Sequence, residues 1–346
     1  MNRSASCGSL LVTLALAVLT GACSAEAEAT PDDGSGEGLE GLTADDAEAR
    51  ATRILAQANA SRKNFEPEEN LTRPSGTGPA SEPLPLFTPP SPSFRTLTDD
   101  TRTALGTGTW GFRFVVVDAS TGTRNVLSED KTSQKLLGAS SFKLFTGWTA
   151  FKTGSTRVNT LTLMLRASQN NLANLAMCQN GEKLKRYDAP CVARTTPTAA
   201  FRFSEAIPAT KAFLGDEGVT LSSTFTMKDG SGLDPTNVLT IDDLTSVLDD
   251  VNADPRRAEF LDMLAQPGVA STLRARFAGL EGKLFAKTGT YYEDGGGVKA
   301  LAGVVLLSPQ KTLIFAVVGN GTGDPTKALD RIEKVVQSHV ATARLP

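Results

Sequence analysis

The stretch GASSFKLFTGWTAF, residues 138–151, places a serine and a lysine three positions apart at the start of an apolar segment. Its apolar residues recur at the spacing of a helix that faces a protein core, and they are Phe142, Leu144, Phe145, Trp148 and Phe151. Ser140 and Lys143 are therefore either accidental neighbours or a reactive pair.

The S-x-x-K spacing alone is a weak signal, because two further copies occur in the chain. The SEDK segment, Ser128–Lys131, is interpreted as a polar loop, and SPQK, Ser308–Lys311, as a hairpin turn. Only Ser140 opens an apolar helix. In that first turn the unpaired N–H groups favour an anion, and Lys143 lies one turn further along the same face. We therefore interpret Ser140 as the nucleophile and Lys143 as its base.

The sequence contains one histidine, His339, far along the chain from these motifs. Its position argues against a Ser-His-Asp triad unless His339 itself is the triad histidine. A single histidine also argues against a histidine-rich zinc site. A lysine can act as the base when burial or nearby positive charge lowers its pKa. No metal or cofactor is expected.

Strand and helix signals predict a mixed α/β fold of the α+β type. A strand is predicted over Trp110–Asp118, followed by a turn and a second strand. A capped helix is predicted over Thr240–Val251, and another begins after Asp324. The apolar runs Leu301–Leu307 and Leu313–Val318 predict a buried hairpin. We therefore expect an antiparallel sheet that is built from both ends of the chain and flanked by helices.

Two further motifs follow the serine and the lysine in order. MLRASQNNLA contains an S-x-N triplet, Ser168–Asn170, and GKLFAKTGTYY contains Lys287-Thr288-Gly289-Thr290 in a strand-like setting. A second K-T-G, Lys152–Gly154, is interpreted as the end of the helix that starts at Ser140. The ordered set S-x-x-K, S-x-N and K-T-G is the signature of penicillin-recognising serine hydrolases.

Over about residues 110–320 the chain resembles the D-alanyl-D-alanine carboxypeptidase/endopeptidase family of low-mass penicillin-binding proteins. The matching segments are VVVDASTG, GASSFKLFTG, LMLRASQNNLA, KDGSGLDPTN, STLRARF and KALAGVVL. The resemblance implies a DD-peptidase/β-lactamase-like fold. Gln169 stands where the family usually has Asp, and Asn174 replaces a common acidic residue. The short segment between Ser140 and Ser168 implies a trimmed helical subdomain.

The resemblance implies a role for each catalytic residue. Ser140 attacks the carbonyl of the penultimate D-Ala, and Lys143 takes its proton. Ser168 relays a proton to the leaving amine. Asn170 holds the amide of the substrate.

The K-T-G-T segment is implied to bind the substrate. Lys287 and Thr288 bind the terminal carboxylate, and Gly289 lets the peptide lie against the strand. The backbone N–H groups of Ser140 and Thr290 form the oxyanion hole.

The function that the resemblance implies is that of an exported serine DD-peptidase. It acts on peptidoglycan stem peptides through an acyl-enzyme and is inhibited by β-lactams. A β-lactamase is the alternative enzyme, although no E-x-x-L-N motif is recognisable between Asn170 and Lys287. A non-catalytic protein that binds peptidoglycan or β-lactams is the alternative from another class. The sequence leaves two reactions as alternatives, trimming of terminal D-Ala and cutting of crosslinks.

The N-terminal residues 1–23 have the pattern of a signal peptide. Arg3 precedes the apolar run LLVTLALAVL, which is roughly half as long as a membrane span requires. Gly21 and Ala22 before Cys23 resemble the lipobox of bacterial lipoproteins, but Thr20 stands where leucine is usual. Export to the periplasm or cell envelope is therefore expected, with either a lipid on Cys23 as membrane anchor or simple cleavage.

Residues 24–94 are interpreted as a disordered tether, and residues 95–346 as the catalytic domain. The tether begins with an acidic segment and continues into a Pro/Ser-rich one, and Thr43 with Asp46 favours a short helix between them. The remainder of the chain is only mildly basic, and its basic residues are scattered. No nucleic-acid partner is expected.

Cys178 and Cys191 are the two cysteines of the predicted catalytic domain. In an exported protein this pair suggests a disulfide that closes a loop after the S-x-N segment. Two unpaired thiols remain the alternative.

Overall fold

A computed structural model describes residues 93–184, 198–292 and 296–344, all within one compact unit. The predicted signal peptide with Cys23, the tether with its short helix, and Cys191 lie outside the described residues. Those expectations and the domain boundary near residue 95 stay predictions. Within the described ranges, no helix is both long and apolar enough to cross a membrane.

Strands and helices follow one another in the order that the sequence signals suggest. The strands are β1 Thr109–Asp118, β2 Thr123–Asp130, β3 Leu284–Tyr291, β4 Val298–Leu306 and β5 Lys311–Asn320. The helices are α1 Phe94–Leu105, α2 Lys143–Thr153, α3 Val158–Arg166, α4 Asn170–Lys183, α5 Thr198–Asp216, α6 Ile241–Ala253, α7 Arg257–Leu261 and α8 Pro325–Ala343. A single 3₁₀ turn, Ala139–Phe142, leads into α2.

The five strands found within the described residues form one antiparallel sheet in the order β2-β1-β5-β4-β3. Strands β1 and β5 pair along their whole length, from Thr109 opposite Asn320 to Asp118 opposite Lys311. The prediction of a sheet built from both ends of the chain is therefore confirmed. Strand β3, which carries the K-T-G-T motif, lies at one edge of the sheet.

Apolar side chains cover both faces of the sheet. On one face Phe315 and Val317 pack with Ile332 of α8. On the other face Ile314 and neighbouring residues pack with α2 and α6. Every residue of α2 from Lys143 to Phe151 is buried. The sequence that opens with Ser140 and Lys143 is thus at the centre of the fold.

Local capping signals predicted the ends of three helices correctly. Thr240 and Asp243 form a reciprocal capping box at the start of α6. Asp324 accepts hydrogen bonds from the first turn of α8. Gly154 ends α2 with a left-handed φ of 64°, which confirms that the K-T-G at Lys152–Gly154 is a helix end.

The interpretation of Ser128 as part of a polar loop is wrong. Ser128 lies within β2 and is fully buried, because its side chain faces α8. Its hydroxyl lies 2.6 Å from Nε2 of His339, whose ring stacks on Phe114 with centroids 3.7 Å apart. Because the SEDK segment is polar, the sequence analysis did not recognise the strand that pairs with β1.

His339 is neutral in the fold at ordinary pH. Its Nδ1 donates to the carbonyl of Val335, since a carbonyl can only accept, so Nε2 accepts from the hydroxyl of Ser128. Burial lowers the pKa of His339 to about 4, against the opposing effect of the bond to Val335. His339 is thus a buried structural residue.

We predict that His339 makes the fold sensitive to acid. Between about pH 6.5 and 4 the unfolded chain binds a proton at His339 that the native state excludes. The contribution of neutral His339 to the free energy of unfolding is therefore fully present above about pH 6.5. It is lost as the pH falls towards 4, by up to about 3 kcal/mol. A Ser128→Ala/His339→Leu variant should lose less stability than wild type between pH 7 and 4.5, measured by urea unfolding.

Ser308→Ala, which alters an exposed serine, serves as the control and should keep the wild-type loss. An identical loss in the double variant would contradict the role of His339.

Candidate active site

Ser140 lies at the entrance to α2, on a turn with unusual backbone geometry. The preceding residue, Ala139, has a φ of 44°, which is rare for a residue with a side chain. A Cβ on Gly232 would come within 2.0 Å of the Ala139 carbonyl oxygen, so only glycine fits against this turn. The neighbouring chain thus fixes the turn, and Ser140 is left 6% exposed.

Lys143 is fully buried beneath Ser140. Its Nζ lies 2.7 Å from Ser140 Oγ, 2.8 Å from Asn170 Oδ1 and 3.0 Å from the carbonyl oxygen of Ser231. The structure therefore brings the S-x-x-K pair and the asparagine of S-x-N together; of these contacts, the sequence predicted the one between Lys143 and Ser140. The carbonyl of Ser231 adds a contact that the sequence analysis did not include.

Burial lowers the pKa of Lys143 to about 7, against the negative charge of Asp229, which raises it. A substantial fraction of Lys143 is thus neutral near neutral pH. A neutral amine has two hydrogens and one lone pair. Since Asn170 Oδ1 and the carbonyl of Ser231 can only accept, they take the two hydrogens, and the lone pair points to the hydroxyl of Ser140. This arrangement is that of a base ready to take a proton from Ser140.

Asp229 organises the loop that supplies the Ser231 carbonyl. Its carboxylate accepts from Ser231 Oγ at 2.5 Å, from the N–H of Gly232 at 2.8 Å and from Asn237 Nδ2 at 2.9 Å. The loop is also tied to helix α4, because the N–H of Gly230 donates to Asn174 Oδ1 at 3.0 Å. The same carboxylate thus holds the loop in place and moderates the pKa of Lys143.

Ser168 and Lys287 form a second lysine–hydroxyl pair. Lys287 Nζ lies 2.8 Å from Ser168 Oγ and donates to the carbonyl of Thr288 at 2.8 Å. Ser168 has a φ of 58°, so the chain between α3 and α4 turns sharply at this residue. Burial, with the positive charges of Lys143 and Lys299, lowers the pKa of Lys287 well below its ordinary value.

Gly289 brings the edge strand against the turn that holds Ser140. A Cβ at Gly289 would come within 2.6 Å of the Gly138 carbonyl oxygen and 3.2 Å of the Ser141 nitrogen. The resemblance implied that Gly289 lets the peptide lie against the strand. The structure shows a separate reason for glycine here, which is the close approach of β3 to the protein's own backbone.

The two threonines of K-T-G-T have different partners. Thr288 Oγ1 donates to Thr272 Oγ1 at 2.9 Å. Thr290 Oγ1 accepts from Lys299 Nζ at 2.7 Å. Lys287 and Gly289 face the Ser140 turn, whereas both threonines lie on the opposite face of the same strand.

The sequence analysis did not name four residues that the structure places in this region: Asp229, Ser231, Thr272 and Lys299. Each lies in a segment that carries the family resemblance, namely KDGSGLDPTN, STLRARF or KALAGVVL. Cys178 is disulfide-bonded, and its predicted partner Cys191 lies outside the described residues.

Solved structures with the same fold are β-lactamases. TLA-1 extended-spectrum β-lactamase has a TM-score of 0.53 at 12% identity, over 73% of this chain and 100% of that chain. A class A β-lactamase representative from Bacteroides cellulosilyticus has a TM-score of 0.51 at 12% identity, over 73% and 98%. These likenesses confirm the DD-peptidase/β-lactamase-like fold.

Penicillin-binding protein 4 from Haemophilus influenzae, solved with a β-lactam, is 21% identical, with a TM-score of 0.43. The match covers 53% of this chain and 41% of that protein, so this chain spans less than half of its length. A search of curated protein sequences finds no match.

A sequence model of the D-Ala-D-Ala carboxypeptidase 3 (S13) family matches residues 158–341, which is more than half of the chain. The chain therefore belongs to this family, and the resemblance seen in its motifs is confirmed. The matched range contains Ser168, Asn170 and the K-T-G-T strand. It begins after Ser140 and Lys143.

We predict that Lys143 titrates near pH 7 and that Asp229 holds it there. In protein labelled with [ε-¹³C]lysine, the Lys143 signal should titrate at about 7 and be absent from a Lys143→Met variant. Asp229→Asn removes the charge that raises this pKa but keeps an acceptor oxygen for the loop. Its Lys143 signal should titrate at a lower pH.

Asp234→Asn is the matched control, because Asp234 lies in the same loop and bonds Thr236 rather than residues at Lys143. Titration of the Lys143 signal near pH 10.5 would contradict this account. So would a titration of Lys143 at the same pH in Asp229→Asn as in wild type.

Proposed function

We propose that the chain is a serine DD-peptidase that cleaves peptidoglycan stem peptides through an acyl-enzyme on Ser140. Membership of the D-Ala-D-Ala carboxypeptidase 3 family and the β-lactamase-like fold support this proposal. The observation that carries it is the 2.7 Å contact between Lys143 Nζ and Ser140 Oγ, with the lone pair of a neutral amine directed at the hydroxyl.

The proposal assigns each step of acylation to a residue of the site. Lys143 takes the proton of Ser140 as the oxygen attacks the carbonyl carbon of the penultimate D-Ala. The backbone N–H groups of Ser140 and Thr290 stabilise the oxyanion. Ser168, held by Lys287, passes a proton to the leaving amine as the peptide bond breaks. Water then releases the acyl group.

We also propose that β-lactams acylate Ser140 and that the adduct is released slowly. Rapid release needs a base that activates water next to the ester. The carboxylate with the largest electrostatic effect on Lys143 belongs to Asp229, and it is occupied by Ser231, Gly232 and Asn237. A peptide loses its D-Ala and leaves room for water, whereas an opened β-lactam keeps its whole fragment attached.

A labelled penicillin should form a covalent adduct at Ser140, mapped by mass spectrometry of the digested protein. Lys143→Met should reduce the rate of adduct formation by about 100-fold or more, since general-base catalysis contributes about 10²–10⁴-fold. Ser308→Ala is the matched control, because Ser308 begins another S-x-x-K but lies in an exposed turn. The Ser308→Ala variant should form the penicillin adduct as wild type does.

The products distinguish the other functions. Release of D-Ala from a D-Ala-D-Ala peptide, with an adduct that lasts many minutes, supports the peptidase. An adduct that clears within seconds without D-Ala release identifies a β-lactamase. Absence of both adduct and cleavage identifies a non-catalytic binder. Digestion of purified sacculi shows whether terminal D-Ala or a crosslink is cut.

We propose that the protein is exported to the cell envelope and anchored by a lipid on Cys23. The charged start, the apolar run and the small residues before Cys23 support this. A Cys23→Ser variant should leave the membrane fraction. Retention of that variant in the membrane with an unchanged N-terminus would contradict the lipid anchor.

A further inference from the structure

Asn320, the last residue of β5, binds the chain just before the turn at residues 138–141, the nucleophile turn. The N–H of Leu137 donates to Asn320 Oδ1 at 2.8 Å, and Asn320 Nδ2 donates to the carbonyl of Leu137 at 3.0 Å. Residues paired in an antiparallel sheet exchange two hydrogen bonds in the same way. One side-chain amide thus satisfies both backbone groups of a residue that precedes Ser140 by three positions.

The residue before Leu137 is held from the other side. Leu136 exchanges two backbone hydrogen bonds with Leu239, at 2.9 and 3.0 Å. Successive residues of an extended chain direct their N–H and C=O groups to opposite sides, so Leu239 holds one side of this chain and Asn320 the other. The loop before α6 and the end of the sheet therefore both fix the entry to the nucleophile turn.

The register of the sheet fixes where the Asn320 amide lies. Asn320 is paired with Thr109 of β1. Earlier residues of β5 at alternate positions, Ile314, Ala316 and Val318, belong to the core that includes α2 and α6, and Asn320 follows at the same spacing. A short side chain on a paired strand has little freedom, so it can hold a second segment in a fixed place.

The nucleophile turn needs such support because its backbone is strained. The left-handed φ of 44° at Ala139 persists only where the surrounding structure holds it. Gly232 lies close to the carbonyl oxygen of Ala139, and Gly289 lies close to that of the preceding residue. Close packing of this kind limits movement towards the neighbouring chain. The two bonds from Asn320 are directional and limit movement away from it.

We propose that Asn320 is a positioning residue that holds the nucleophile turn in its strained form, with the Ser140 N–H aimed at the oxyanion of acylation. Its bonds fix Leu137, and Leu137 fixes the chain that enters the turn. Without the amide the turn relaxes and this N–H moves off the oxyanion. Lys143 keeps its place, because its acceptors lie on α4 and in the loop before α6. This inference rests on the proposed function.

The test measures acylation of Asn320→Ala by penicillin, with the noncovalent binding constant and the acylation rate constant determined separately by rapid mixing. The rate constant should fall by about 10- to 100-fold, because a misplacement of about 1 Å at a reacting group can cost that much. The noncovalent binding constant should change little, because the oxyanion forms only during the reaction.

The acyl-enzyme provides a readout that a loss of stability alone would not change. In wild type, the N–H donors should lower the infrared stretching frequency of the ester carbonyl, observed with penicillin that carries ¹³C at its β-lactam carbonyl. In Asn320→Ala this band should shift towards the frequency of an ester without these donors. Only acylated molecules contribute to the band, so an unfolded fraction does not affect the shift.

Two further variants make the test specific. Asn125→Ala removes an exposed asparagine of β2 and should match wild type in both rate and band. Asn320→Asp keeps the side-chain shape and an acceptor for the N–H of Leu137, but an ionised carboxylate cannot donate to the carbonyl of Leu137. It should show the slower rate and the shifted band even if Asn320→Ala does not fold.

The outcomes separate this inference from the proposed function. If wild type is acylated at Ser140, an unchanged rate and band in both Asn320 variants overturn the inference alone. A slower rate without a shift of the band also overturns it. Failure of both Asn320 variants to fold overturns it as well, because Asn320 is then a structural residue. A wild-type protein that penicillin does not acylate overturns the proposed function and this inference together.

Discussion

The position of the Lys143 amine is the constraint on which the site depends. The amine is fully buried, and its acceptors come from two distant parts of the chain: Asn170 at the start of α4 and the carbonyl of Ser231 in the loop before α6. Helix α2 must be buried on all sides to lower the pKa of Lys143. Helix α4 and the loop must meet at its nitrogen to direct the lone pair at Ser140. The packing of the fold and the chemistry of the base are therefore one requirement.

The edge strand adds a second constraint from the side of the sheet. Gly289 allows β3 to approach the turn at Gly138, which brings Lys287 to Ser168 on one face and leaves Thr290 with Lys299 on the other. The strand thus carries a lysine–hydroxyl pair on each face. Burial and neighbouring lysines disfavour the charged form of Lys287.

The parts of the fold that the sequence predicted well carry local signals. The capping box of α6, the cap of α8 and the apolar setting of Lys143 are each encoded within a few residues. The parts that it missed depend on contacts between distant segments. Ser128 is polar but faces α8, Lys299 acquires its hydrogen bond from the strand register opposite Thr290, and Ser231 contributes a backbone carbonyl that any residue type would carry. Helix α1 was missed because two of its four buried positions are threonines.

The departure from the family pattern at position 174 is explained by the charge around Lys143. Asn174, which replaces a common acidic residue, accepts a hydrogen bond from Gly230 and so ties the loop to α4 without a second negative charge. An aspartate there would keep the hydrogen bond but add to the effect of Asp229, which already raises the pKa of Lys143. A higher pKa would protonate the amine at neutral pH and remove the lone pair through which Lys143 would act as the proposed base. Gln169, by contrast, is exposed and outside this set of contacts, so the exchange at position 169 leaves the base unaffected.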